Sequence, residues 1–164
     1  MKTRVGNILA AIGICLVAVG LLQAGGDSAA TTKAARLIQK EQKLIAFFAH
    51  PTGKLQTLQL VETKNIDGGF ILTYQFNYKH PFGDFYSKID FRFDGDGNYR
   101  TASPRASSGL TDAFDSANVV ISWAKEELLK NPEFRDNKVV RDLIERADAK
   151  GLLGFMLKES ASSL

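Results

Sequence analysis

Cysteine is almost missing from this chain of 164 residues: Cys15 is the only one, and it sits in an apolar stretch near the start. A lone thiol makes no intrachain disulfide and no cysteine-built metal site, so stability has to come from a packed core. Histidine is scarce as well. His50 and His80 are the only two, and neither belongs to a His-Glu-x-x-His zinc helix. A Gly-x-Ser-x-Gly elbow and a phosphate-binding glycine loop are also lacking. These absences make an enzyme the minority reading, and no residue pattern calls for a cofactor. An excess of one charge is missing too. The formal +3 counts Lys2 and Arg4, and the other 19 basic residues nearly balance 18 acidic ones. The pI near 9.0 therefore does not argue for a nucleic-acid partner.

What is present begins with Lys2 and Arg4 ahead of an uncharged apolar run from Ile8 to Leu22. A basic start followed by such a run is the order of a signal peptide. Residues 1–24 are expected to be removed after Ala24, with Ala18-Val19-Gly20 as a second processing point. The alternative is an uncleaved anchor, since the run is close to the ~17–25 residues that span a bilayer. Cys15 lies inside the run, after Ile14, which excludes a lipoprotein reading. Lys and Arg resist translocation, so both readings place the rest of the chain outside the cytoplasm, periplasmic or extracellular.

Residues 25–32 are small and polar, a composition expected of a flexible linker. Residues 33–158 are then expected to form one α+β domain, followed by a polar tail at 159–164. From Lys33 to Ala49 the apolar residues keep helical spacing, with Lys33, Arg36, Lys40 and Lys43 on another side. That basic stripe is a candidate contact for anionic lipid. Period-two alternation marks strands at Phe70 to Lys79 and Phe85 to Asp94, with weaker strands at Leu55 to Thr63 and Tyr99 to Ala102. Short connections predict an antiparallel meander, and Pro104 is expected to end it. Thr111 is the expected N-cap of a helix reaching Lys130, and Asn131-Pro132 starts a second helix that stops before Gly151. Val119 and Trp123 point away from the apolar stripe of the first of these helices. That places a second contact on them, made either by the last helix or by a partner.

The expected fold is therefore α+β: an N-terminal helix, a four-stranded antiparallel meander, and two C-terminal helices packed on one sheet face. As an architecture this resembles the helix-on-sheet arrangement of cystatin-like and NTF2-like folds, with no residue motif carrying either family.

Four sets of residues are candidates for chemistry. His50-Pro51-Thr52-Gly53 and His80-Pro81-Phe82-Gly83 share a pattern of turn chemistry; were they at one end of the sheet, His50, His80 and Asp84 could hold a metal. His80 or Asp90 is the conjectural base of a small hydrolase or isomerase. Asp94-Gly95-Asp96-Gly97-Asn98 matches only the first half of a calcium loop, and a tight hairpin turn is the preferred reading of the same residues. Tyr74, Phe76, Tyr78 and Phe91 stand on the aromatic strand face, which is either a core or the lining of an apolar-ligand pocket. The sequence thus predicts a non-enzymatic exported binding or accessory module whose partner is an unknown protein or a small apolar ligand. The alternatives are a hydrolase or isomerase with a sheet cavity, and an anchored module that touches anionic lipid through its basic helix.

Overall fold

The computed structural model describes residues 28–109 and 111–163. The expected signal peptide or anchor at 1–24 lies outside the described residues. Helices α1 (Ser28–Lys40) and α2 (Gln42–Ala49) are followed by strands β1 (Lys54–Ile66), β2 (Gly69–Lys79), β3 (Phe85–Asp94) and β4 (Tyr99–Ser107). Four more helices follow: α3 (Asp115–Leu129), α4 (Pro132–Asp136), α5 (Lys138–Arg146) and α6 (Ala149–Ala161). The strands form one antiparallel sheet in the order β1-β2-β3-β4. The class is α+β, as expected.

Register follows from alternation. Leu72 faces Phe91, Tyr74 faces Ile89 and Phe70 faces Phe93 across β2 and β3. A slip of one residue would turn these side chains into water, so the pairing is strongly specified. Helices α1 and α2 supply Leu37, Ile38 and Ile45 to the same layer, and α6 supplies Leu153 and Leu157, all buried. Helix α6 lies on β4. Gly154 permits this close approach, because a methyl there would stand 3.3 Å from the Tyr99 ring.

Several boundaries differ from expectation for local reasons. Helix α1 starts at Ser28, inside the stretch read as a linker, with Ala30 and Ala34 buried. The single helix expected over 33–49 is broken at Glu41. Strand β4 runs past Pro104 to Ser107 because it is an edge strand, where a missing N–H on the outer side costs no ladder bond. Helix α3 starts four residues after Thr111. Phe114 precedes it at φ 79, a left-handed conformation costly for a bulky residue. Burial of its ring and an N–H donated to the Ala49 carbonyl at 2.9 Å hold it there.

The largest difference is α6, which covers part of the expected tail. Gly151 reads as a helix stop, yet it sits at the third position of a new helix. The Asp148 carboxylate caps that helix by accepting from the Gly151 N–H at 2.7 Å. The second C-terminal helix is likewise two, α4 and α5. Asn137 starts α5 by accepting from the Val139 and Val140 N–H groups.

Candidate functional site

The four residues considered for an apolar ligand are packed interior. Phe76 and Phe91 are fully buried, and Tyr74 and Tyr78 are 2% and 1% exposed. Their rings interlock, with Tyr74 edge-on to Phe91 at 6.2 Å and Phe76 stacked on Tyr78 at 6.4 Å. Burial disfavours the phenolate, which pushes Tyr74 up to about 12 and Tyr78 further in the same direction. Among the described residues the Tyr78 hydroxyl has no hydrogen-bond partner.

Both His-Pro-x-Gly stretches are turns, closed by Gly53 N–H to the His50 carbonyl at 3.1 Å and Gly83 N–H to the His80 carbonyl at 3.0 Å. They lie at one end of the sheet, where the two imidazoles flank the Phe85 ring at 4.9 and 6.3 Å. Their surroundings differ. His50 is buried and its Nε2 lies 2.9 Å from the Ser87 hydroxyl. Desolvation lowers its pKa against the opposing charges of Asp115 and Asp112. His80 is half-buried, and its Nδ1 accepts from the Phe82 N–H at 3.3 Å. Asp84 is exposed in the same turn. Among the described residues no group of three or more His, Cys, Asp or Glu side chains could hold a metal ion.

Asp90 is on the other, wet face of the sheet and shares no partner with His80. It accepts from Thr73 Oγ1 at 2.7 Å, and the Arg105 guanidinium lies 3.7 Å away. Arg105 also donates to Glu62 and, at 3.0 Å, to Thr73. This row joins all four strands. Arg105 reaches it because the register shifts between Pro104 and Ala106, and such a bulge re-aims a side chain. Asp94 is likewise occupied, accepting from the Asp96 and Asn98 N–H groups at 3.0 and 2.8 Å. Burial acts against its charge, but these bonds and Arg100 hold its carboxyl below the usual range. The calcium-like segment is a turn whose oxygens serve its own backbone. Of the basic stripe, Lys33 donates to Asn98 at 2.9 Å and Lys40 to Ser163 at 3.0 Å, while Arg36 and Lys43 are exposed.

A surface of a different kind lies on α3 and α5. Helix α3 packs against α2, α4, α5 and α6, with Ala117 buried. Val119 and Trp123, one turn apart on its exterior, are 71% and 63% exposed, and Val120 beside them is 58% exposed. The last helix does not cover them. Helix α5 repeats the arrangement with Val139 and Leu143, again one turn apart and largely in water. Lys125 ties the two helices by donating to the Glu145 carbonyl at 3.0 Å. Neighbouring charges are paired along their own helices, Lys138 with Asp142 at 2.6 Å and Lys130 with Glu127 at 2.5 Å. What these exteriors offer is chiefly apolar area.

The sequence singles out Val119 and Trp123 but not Val139 and Leu143, which stand on a helix expected to pack on the sheet. It also misses the His50–Ser87 pair and the row through Arg105, which depend on pairings between distant strands and helices. Comparison with protein-family models, with curated proteins and with solved structures returns no match.

Proposed function

We propose that this protein is a non-enzymatic, exported accessory module of the cell envelope or extracellular space that docks an apolar surface of a partner protein on α3 and α5. One observation carries the reading: Val119, Trp123, Val139 and Leu143 remain in water while the aromatic sheet face is sealed. Apolar side chains gathered on a surface mark interaction sites in soluble proteins. Fully burying one Val or Leu yields about 1.5–3 kcal/mol, so a few of them supply a useful share of a binding energy. The hydrolase or isomerase reading needs open space on the aromatic face, and α1, α2 and α6 occupy it. Export rests on the basic start and the apolar run at residues 8–22.

The test is a photo-crosslinking amino acid placed in the full chain at 119, 123 or 143, with 88 on the wet sheet face as control, in the native host. A discrete adduct from the three helical positions and none from 88 is expected. An adduct of twice the chain's mass would make the partner a second copy. Crosslinks at 88 with none from the helices would overturn the proposal.

A further inference from the structure

Between the start of β4 and α6 runs an open groove of about 370 Å³ that the partner surface does not use. Arg100, Lys150 and Lys158 line it, against one carboxylate, Asp148. That carboxylate is engaged in capping α6. Arg100 pairs with Asp94 at 2.8 Å, while the ammonium groups of Lys150 and Lys158 have no partner among the described residues. Gly151 and Gly154 add no side chains to the α6 wall, which leaves room between Lys150, Phe155 and Lys158. Phe155, also part of the lining, is 66% exposed, and Met156 next to it is 41% exposed. The groove thus presents free cations with an aromatic ring standing in water, the pairing found where a protein surface rests on anionic lipid.

The path of the chain identifies the occupant. The apolar run ends at Leu22, and the stretch from there to Ser28 reaches at most about 20 Å when extended. Two residues into α1, the Ala30 carbonyl oxygen abuts Gly97, where a methyl would come within 2.5 Å. Tyr99, two residues beyond Gly97, begins the groove. In the uncleaved form, in which the run is held in a bilayer, this end of the domain lies within that reach of the membrane surface.

We propose that the β4–α6 groove seats the phosphate-bearing headgroups of an anionic lipid surface, with Lys150 and Lys158 as the cations and Phe155 entering the acyl boundary. This site is distinct from the basic stripe of α1, two of whose lysines already bond within the domain.

The test uses the full chain carrying Cys15→Ser and Phe155→Cys, with an environment-sensitive dye on residue 155. The protein is reconstituted in vesicles of phosphatidylcholine alone or mixed with phosphatidylglycerol. The dye is expected to shift to the blue and to be quenched by spin-labelled lipid only in the anionic vesicles, and to return on adding about 0.5 M salt. A dye placed by Val119→Cys should stay as in water, so a failure here is distinguishable from a failure of the partner surface. Each ammonium group near an anionic surface changes partitioning about fivefold, so K150Q/K158Q should weaken the anionic preference roughly 25-fold. Three results would overturn the proposal: equal exposure of residue 155 in both vesicles, equal burial in both, or an equal dye response to millimolar inorganic phosphate without vesicles.

Discussion

On the sheet and the helices laid over it, Phe76, Phe91, Leu153 and Leu157 are fully buried, whereas on α3 and α5 side chains of the same chemistry stand in water. The difference lies in how apolar residues are distributed around each element. Strands β2 and β3 alternate, so Phe70, Tyr74, Phe76, Tyr78, Phe91 and Phe93 fall on one face under one layer of helices, and Tyr86 stands on the other. Helix α3 carries apolar residues on two sides, Ala117 and Ile121 toward the domain and Val119 and Trp123 away from it. A helix apolar on two sides needs two covers, and the described residues provide one. The core follows from folding; the second side is available for association.

The sharpest way to break this comparison is to truncate one apolar residue in each region. Phe91→Ala should cost about 3–5 kcal/mol, the usual penalty for emptying a packed ring's site. Val139→Ala on the exterior of α5 should change stability by less than about 0.5 kcal/mol. Denaturant melts measure both, and equal losses would erase the distinction between the regions.

Somewhat smaller effects should place α6 on the buried side of the divide. Leu157→Ala should cost about 2–4 kcal/mol by the same melts, because Leu157 is fully buried. A neutral result would remove α6 from the core.

The smallest effect concerns pH at the end of the sheet. His50 is held below its ordinary value of 6.5 mainly by burial. Above that value it is neutral in both folded and unfolded chains. As the pH falls through it toward the lowered native value, the unfolded chain takes up a proton that the folded chain resists, so stability declines. Melts at about pH 7.5 and about pH 5.5 should show this decline in the wild type and a reduced one in His50→Gln, which keeps a polar partner for Ser87. An unchanged slope in the variant would assign the decline to other groups.

The sheet was legible because a period of two over ten residues has one structural solution, and both His-Pro-x-Gly turns follow from local chemistry. Helix α6 was not, since Gly151 signals a stop unless Asp148 is recognised as the cap of a new helix. The left-handed Phe114 and the bulge at Arg105 also escaped, because each is held by residues far away in sequence, Ala49 in one case and Glu62 and Thr73 in the other. Of the exposed apolar surface, Trp123 was visible as an apolar residue on the wrong side of its helix. That its position lacks a cover is a property of packing alone.

Trp123 is also the chain's single tryptophan, so its fluorescence reports on the exposed surface without interference. At 63% exposure it should emit near the wavelength of the unfolded chain and be readily quenched by iodide in the folded, partner-free protein. Blue-shifted emission that iodide cannot reach would mean that the α3 exterior is already covered by the protein itself, and would contradict the account.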